Sequence, residues 1–306
     1  MFQFKQKQKI SEIAGVKVGG QPGEYPTVLI GSIFYEKHKI VSNALKGEFN
    51  KSQAEALVKK QEEMSEVTGN PVIIDAVGLT VEALTRYVDF ISEVTSSPFL
   101  VDGPSMAVRV PVMRHLEEAG LLNRAVYNSI DYLVKLEEIT ALREVGAKYS
   151  VLVAYNPKNL WPEGRIEILK GYEGQKGLLE AANEAGIQNI LVDTAVLDVP
   201  SIGLATEAIR LVKSEYGFPV GCSPSNAITT WKKVKKEMGP YAYNVCLGAS
   251  CLATQLFGAN FVLYGPIEGM EATFPACAMA DAIIAYNARR FGVRPKVKNH
   301  PLYKIF

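Results

Sequence analysis

The sequence predicts one (β/α)8 barrel over residues 1–306, with a short N-terminal hairpin as its extension. Eight short apolar runs alternate with amphipathic helical stretches, which is the pattern of parallel βαβ units. Runs such as residues 72–74 and 189–192 are almost continuously apolar, as expected for strands covered on both faces. An open doubly wound sheet is the alternative architecture. It is disfavoured because no Gly-x-Gly-x-x-Gly follows the first run.

The predicted strands are short and are bounded by turn residues. In chain order they cover residues 27–33, 71–75, 98–102, 124–128, 149–156, 189–193, 218–221 and 261–264. Before the first of them, residues 10–18 and the following pair Gly19-Gly20 predict a hairpin that closes the bottom of the barrel.

Helical spacing of apolar residues marks the segments between the strands. In the first segment, Ala54, Leu57, Val58 and Met64 predict a helix over residues 52–68. The other helices are predicted over residues 81–94, 106–119, 133–145, 177–185, 202–214, 227–238, 243–257 and about 271–291. Two long loops remain at the carboxyl ends of the strands, residues 34–50 and 156–174, and we expect them to act as lids or binding loops.

Composition excludes several classes of protein. The formal net charge of the 306 residues is +1, so we expect no nucleic-acid partner. No apolar run reaches the roughly 18 residues that a membrane-spanning helix needs. The polar start of the chain lacks the apolar core of a signal peptide, which predicts a cytoplasmic protein.

Neither the cysteines nor the histidines have the spacing of a metal site. The cysteines lie in the last third of the chain, without a Cys-x-x-Cys pair, and are interpreted as buried free thiols: Cys222, Cys246, Cys251 and Cys277. His38, His115 and His300 are scattered along the sequence. We therefore predict no metal in the active site.

A carboxylate or a carboxamide ends five of the apolar strands. These residues are Asp75, Asp102, Asn128, Asn156 and Asp193, and the turn after the seventh strand adds Ser223 and Asn226. Each could serve only as a helix cap or a turn residue. Strand ends in this fold face the active site, however, and capping does not require so many polar residues around one mouth.

The predicted ring of Asp and Asn side chains suits a flat heterocycle that offers both donors and acceptors. A carboxylate accepts two N–H groups, and an amide both donates and accepts. The ring thus favours a pterin or a purine-like ligand. Mg²⁺ also prefers carboxylates, but the sequence shows no phosphate cradle to accompany it.

The amino-terminal part of the chain resembles the MtrH family of methyltransferases. The resemblance is carried by VKVGGQPGEYPTVLIG at residues 16–31, IFY at 33–35, HKIV at 38–41, QEEMS at 61–65 and VTGNP at 67–71. It extends along most of the chain and is most specific in the first 75 residues. The family resemblance implies a pterin-binding barrel that works with a corrinoid protein.

The resemblance also implies roles for particular residues. Asp102, Asn128 and Asp193 resemble the strand-end residues that hold the pterin ring, and Asn226 resembles the residue that reaches N5, the atom carrying the methyl group. Asn226 and Asp193 are thus the expected catalytic residues, whereas Asp75 is a weaker match. After Asp102 the family tends to have Ser-Thr, and this chain has Gly103-Pro104-Ser105 instead.

The reaction that the resemblance implies is methyl transfer between a methylated corrinoid protein and N5 of tetrahydrofolate or tetrahydromethanopterin. We favour tetrahydrofolate, and we expect a homodimer. No histidine fits the corrinoid-ligand pattern Asp-x-His-x-x-Gly, so a partner protein should supply the corrinoid. The loops around residues 34–39 and Trp161 are its expected contacts.

Two other functions are compatible with a pterin-type barrel. A dihydropteroate synthase would need a Lys and an Arg near the late strands, and the seventh and eighth strand ends lack both. A non-catalytic pterin-binding or scaffold subunit of a methyltransferase complex is the main alternative to an enzyme.

Overall fold

A closed parallel barrel forms the centre of the computed structural model, which describes residues 2–305. In chain order the strands are β1 (Ile10–Ile13), β2 (Val16–Gly19), β3 (Val28–Ile33), β4 (Val41–Asn43), β5 (Glu48–Phe49), β6 (Val72–Val77), β7 (Phe99–Asp102), β8 (Ala125–Ile130), β9 (Tyr149–Val153), β10 (Gly171–Tyr172), β11 (Gln175–Lys176), β12 (Asn189–Asp193), β13 (Val220–Cys222) and β14 (Phe261–Pro266). The barrel runs β3-β6-β7-β8-β9-β12-β13-β14 and closes on β3. The barrel prediction is confirmed, and the open sheet is excluded.

Helices follow the barrel strands and cover their outer face. They are α1 (Lys51–Thr68), α2 (Val81–Val94), α3 (Met106–Glu118), α4 (Leu136–Val145), α5 (Pro162–Lys170), α6 (Leu178–Glu184), α7 (Ser201–Glu215), α8 (Pro224–Thr230), α9 (Lys232–Leu256), α10 (Met270–Ala288) and α11 (Pro301–Lys304). Helix α1 shows how local sequence sets the bounds. Asn50 caps its first turn by accepting from the Gln53 amide, and Gly69 ends it at a φ of 85°.

The barrel interior is filled by alternate residues of each strand. Its apolar layer includes Val28 and Ile30 of β3, Ile73 of β6, Leu100 of β7 and Leu191 of β12, all fully buried. The intervening residues face the helices. Because side chains alternate along a strand, this register decides which of the later polar residues point into the mouth.

The β1–β2 hairpin lies against the amino ends of the barrel strands. Ile13 and Val18 are fully buried in the same apolar cluster as the barrel interior, and the Ser11 hydroxyl donates to the Ile190 carbonyl at 3.5 Å. Lys213 secures the segment that follows by donating to the carbonyl of Gly20 at 2.9 Å. The hairpin therefore covers the end of the barrel opposite to the candidate site.

The longest departures from the predicted elements lie in the loops. Residues 156–174, predicted as a loop, contain α5, and β9 stops at Val153 rather than at 156. The 34–50 loop contains the β4–β5 hairpin. The predicted helices 227–238 and 243–257 are instead α8 and a long α9 that bends at Gly239, where φ is 86°.

The helices were also compared with the thickness of a bilayer. Within residues 2–305, none is both long and apolar enough to cross it.

Candidate active site

Five polar side chains share the inward register at the carboxyl end of the barrel. Ser32 and Asp75 follow the interior residues Ile30 and Ile73 by two positions, and the same step leads from Leu100, Val126 and Leu191 to three further residues. These are Asp102, Asn128 and Asp193. The strands also align them, since Ser32 pairs with Asp75 and Asp102 pairs with Asn128 across neighbouring strands. The structure thus brings five polar groups to one floor.

Asp75 and Asp102 form a pair of buried carboxyl groups within this floor. Asp75 is 3% exposed, accepts a 2.6 Å hydrogen bond from Ser32 Oγ, and leaves its Oδ1 without a partner among the described residues. Burial raises the pKa of Asp75 to about 6, against the opposing hydrogen bonds from Ser32 and Asn128. Burial and then the charge of Asp75 raise the pKa of Asp102 well above its usual value. The two groups together therefore tend to retain a proton.

Asp193 ends β12 and is held in place by its own turn. Its Oδ1 accepts from the Ala195 amide at 2.8 Å, and Ala195 has the left-handed φ of 54°. Burial raises the pKa of Asp193 to about 6, although the Ala195 amide and Arg165 oppose this. Asp193 is thus anionic at neutral pH, and the turn orients one of its oxygens while the other stays available.

Asn226 lies on the first turn of α8, directly after β13. Its side chain is exposed, and it has no hydrogen-bond partner among residues 2–305. The turn below it is fixed: Ser223 Oγ lies 3.1 Å from Ser225 Oγ, and Ser225 Oγ donates to the Leu263 carbonyl at 3.4 Å. A rigid turn thus presents a free amide, whereas Ser223 supports the turn.

Asn156 does not join the floor. Its side chain is fully buried, donates to Glu167 at 3.1 Å, and accepts from the Lys158 amide at 3.0 Å and from Tyr172 at 3.3 Å. These contacts organise the loop between β9 and α5. The carboxamide is therefore occupied by its own loop.

The rim above the floor is partly closed by a latch between two loops. His38 Nδ1 accepts from the Phe34 amide at 3.2 Å, so Nε2 carries the proton that points to Glu268 at 3.0 Å. Glu268 belongs to the turn that follows β14. Because Phe34 and His38 are buried, they are not available to a partner; Glu36, Lys37 and Lys39 lie nearer the surface.

No metal centre is evident in the described part of the chain. Within residues 2–305 no group of three or more His, Cys, Asp or Glu side chains is close enough to hold an ion. Cys222, Cys251 and Cys277 are buried, and Cys246 is partly buried, all as free thiols.

Comparison with known families decides the relationship of this barrel. The family described as the MtrH subunit of tetrahydromethanopterin S-methyltransferase matches residues 6–296. The chain belongs to the MtrH family. It is accordingly a methyltransferase, and the predicted family relationship is confirmed.

Relatives of this MtrH-family protein match it from end to end. The corresponding tetrahydromethanopterin S-methyltransferase subunit from Methanothermobacter thermautotrophicus is 43% identical over 100% of both chains. The corresponding subunit of the mtx methyltransferase from Methanosarcina mazei is 42% identical over 99% of each. Among solved structures, a Xanthomonas albilineans dihydropteroate synthase with 4-aminobenzoic acid has a TM-score of 0.60 at 17% identity, covering 90% of this chain and 98% of that one. That likeness concerns the fold alone.

Two buried arginines that position the floor were missed from the sequence. Arg109 donates to the carbonyl of Gly103 at 2.7 Å and to that of Ser129 at 3.1 Å, and it pairs with Glu138 at 3.2 Å. It thereby ties together the turns that follow Asp102 and Asn128. The departure from the family pattern at Gly103 lies in a turn that Arg109 holds.

Arg165 does the same for the turn after Asp193. The side chain is buried and donates to the Thr194 carbonyl at 3.1 Å, to that of Ala195 at 3.3 Å and to that of Trp161 at 3.2 Å. One signal for it was present in the sequence. Pro162 and Glu163 are typical first-turn residues, and Ile168 and Leu169 follow Arg165 at helical spacing.

Replacing Asp75 by Asn should stabilise the protein at alkaline pH. The pKa of the folded-state carboxyl, about 6, exceeds its ordinary value of 3.8, so folding favours the protonated form, and stability is lost as pH rises from about 4 to 6. The Asp75→Asn variant should be more stable than wild type by about 2–3 kcal/mol at pH 8 and nearly equal to it at pH 4. Urea unfolding at both pH values measures this, and a difference independent of pH would contradict it.

Proposed function

We propose that this MtrH-family protein transfers a methyl group between the corrinoid of a separate protein and N5 of a reduced pterin. The single observation that carries the proposal is the floor of inward-facing Asp and Asn side chains with a free Asn amide at its edge. Such a floor accepts N–H groups and offers amide hydrogens without providing a nucleophile of its own. It is suited to binding a heterocycle that reacts with a second partner.

The carboxylates and Asn128 would hold the pyrimidinone edge of the pterin. Asp193 and Asp102 can accept from the ring amino group and the adjacent N–H, and Asn128 can pair with a neighbouring ring atom. Asp75 lies one layer deeper than Asp102 and adjusts its charge. Binding of a ring that brings N–H donors would replace the proton that the buried pair retains.

The reacting atom would lie next to Asn226. The partner's corrinoid supplies the methyl group and keeps the electron pair of the broken carbon–cobalt bond. N5 forms the new bond with its lone pair, and its proton then leaves to water. The Asn226 amide can hydrogen-bond N5 before and after transfer, and so it maintains the orientation of the ring without acting as a base.

Both tetrahydrofolate and tetrahydromethanopterin have the same ring edge and the same N5. The full-length relatives are named for tetrahydromethanopterin, which supports a pterin of this class. We retain tetrahydrofolate as the first substrate to test. Calorimetry with each pterin decides between them, because the correct one should bind at least about tenfold more tightly, a difference of about 1.4 kcal/mol.

The reaction is tested by absorbance with three components. A corrinoid protein loaded with methylcobalamin, the reduced pterin and this enzyme should together lose the methyl–cobalt spectrum, and no two of them should do so. Pterin binding without this loss would indicate a non-catalytic pterin-binding subunit. Purified protein that carries a stoichiometric corrinoid would overturn the requirement for a partner.

We also propose that the protein is a homodimer. Helices α9 and α10 expose large apolar side chains, including Tyr241 at 81%, Met279 at 48% and Ile283 at 44%. These helices pack together around Gly248, where little space is left for a side chain. Light scattering should give twice the chain mass of 33.5 kDa, and Ile283→Glu should reduce it. A stable wild-type monomer at micromolar concentration contradicts the proposal.

A further inference from the structure

A ridge of lysines lies immediately beyond the turn that carries Asn226. We define the lysine ridge as Lys232, Lys233, Lys235 and Lys236, which open α9 and are all exposed. Among the residues that the structure describes, none of the four forms an ion pair within 4.0 Å, and Glu237 is the one acid in residues 231–245. The protein as a whole has a net charge of only +1. The ridge is therefore a local concentration of positive charge.

The local physics of the helix disfavours this arrangement. The amino end of a helix carries a partial positive charge, so lysines in its first turn are unfavourable, and α9 has no acidic residue there. Lys232 and Lys236 are also separated by four positions, where like charges repel. Trp231 provides no side-chain cap. The lysines thus do not help α9 to form, and their presence calls for another reason.

The ridge is held firmly at the rim of the mouth. Val234, in the middle of the four lysines, is buried and anchors the helix, and Lys235 Nζ lies 4.0 Å from the centre of the Tyr243 ring. One residue, Trp231, separates this helix from α8, which carries Asn226. At Gly239 the chain then turns away into the long part of α9. The lysines consequently stand beside the position proposed for methyl transfer.

The shape of the ridge indicates what kind of partner it fits. In a helix with 3.6 residues per turn, burial of Val234 directs the flanking lysines to the remaining sides, so they project outward from a convex surface. A small-molecule tail is normally bound in a concavity. A convex, charged, exposed surface is instead complementary to the face of another protein.

Exposed apolar residues continue the surface around the rim. Leu197 and Val199 are exposed in the turn before α7, and Met238 is exposed at the end of the ridge. On the loop before α5, Trp161 is 68% exposed. Apolar contacts next to a charged border are the usual composition of a protein–protein interface.

We propose that the corrinoid-carrying partner docks with an acidic surface on the lysine ridge. This inference rests on the proposed function, and it adds the charge and position of the docking surface. Attraction between acidic groups and the lysines would raise the encounter rate and orient the corrinoid over Asn226. Contacts with Trp161 and Leu197 would complete a modest interface that releases quickly.

The test compares a ridge variant with a charge-matched control. The ridge variant combines Lys232→Gln, Lys233→Gln, Lys235→Gln and Lys236→Gln. The control removes the same charge at exposed lysines near the amino ends of the strands and the chain termini, with Lys5→Gln, Lys7→Gln, Lys298→Gln and Lys304→Gln. The partner probe is a cobalamin-binding protein from the same genome with the Asp-x-His-x-x-Gly motif, loaded with methylcobalamin.

In low salt the ridge variant should lose about 10- to 100-fold in kcat/KM for the corrinoid protein, and its rate should become nearly independent of salt. The control should behave as wild type. Poly-L-glutamate should inhibit the wild-type reaction with the corrinoid protein. Transfer between free methylcobalamin and the reduced pterin should be unchanged in both variants.

Each contrary outcome has a separate meaning. If wild type transfers no methyl group even between free methylcobalamin and the pterin, the proposed function fails. If that reaction proceeds and the ridge variant still equals wild type with the corrinoid protein, the docking inference is wrong. If the variant instead loses affinity for a polyglutamylated pterin but not for the monoglutamate, the ridge binds the pterin tail, and the inference is also overturned.

Discussion

Replacing Asn226 by Ala should lower kcat by about 10²–10³-fold, with a smaller effect on pterin affinity. That loss corresponds to removing one hydrogen bond that acts chiefly in the transition state. The expectation rests on geometry, because the amide is exposed, unpartnered among the described residues, and presented by a turn that Ser223 and Ser225 hold. Single-turnover absorbance with the methylated corrinoid protein measures the chemical step directly.

Two controls separate the role of the Asn226 amide from the stability of its helix. Thr230→Ala on the same helix removes a hydroxyl that only donates to the Ala227 carbonyl, and it should leave kcat within about twofold. Asn226→Asp retains an acceptor but loses the amide hydrogens, and it should be nearly as slow as the Asn226→Ala variant. An Asn226→Ala variant with normal kcat and a raised KM would make Asn226 only a binding residue.

Replacing Asp193 by Ala should weaken binding of the reduced pterin by about 2–4 kcal/mol, as expected for the loss of a charge-assisted hydrogen bond in a closed site. The side chain is buried and faces inward, so water compensates poorly for the loss. Titration calorimetry measures the change. Unchanged affinity in a folded Asp193→Ala variant would remove Asp193 from the site.

The Asp193 prediction has a structural control and a pH signature. Asp193→Asn retains an oxygen that can accept from the Ala195 amide, so it should preserve the turn and still lose much of the affinity. Because burial raises the pKa of Asp193 to about 6, wild type should bind the pterin more weakly at pH 5 than at pH 7.5. The Asp193→Asn variant should lack this component of the pH dependence.

The floor of the site was largely predictable because it follows local rules. Asp102, Asn128 and Asp193 end apolar strands, and each lies two residues after an interior apolar residue. Alternation along a strand places such residues on one side. The sequence predicts Asn156 among them because the fifth apolar run extends to residue 156. Since β9 ends at Val153, Asn156 instead contacts Glu167 of α5.

The supporting arginines were not predictable in the same way. Arg109 pairs with Glu138, and Arg165 bonds to the Thr194 carbonyl; in both cases 29 residues separate the partners. Neither helical nor strand periodicity carries information at that separation. The raised pKa of Asp102 likewise depends on Asp75 of the neighbouring strand, and therefore on barrel closure.

By itself, the sequence determined the eight strands and their order, the hairpin, the family and the polar residues that end the strands. These are properties of short segments, where apolar periodicity and turn residues act over a few positions. Only the tertiary structure decided that Asn156 leaves the floor, that Asp75 and Asp102 share a buried environment, and that Arg109 and Arg165 hold the turns beneath the ligand. The reason is physical: burial and long-range hydrogen bonding arise when distant segments pack together, and they set the charge and rigidity of the site.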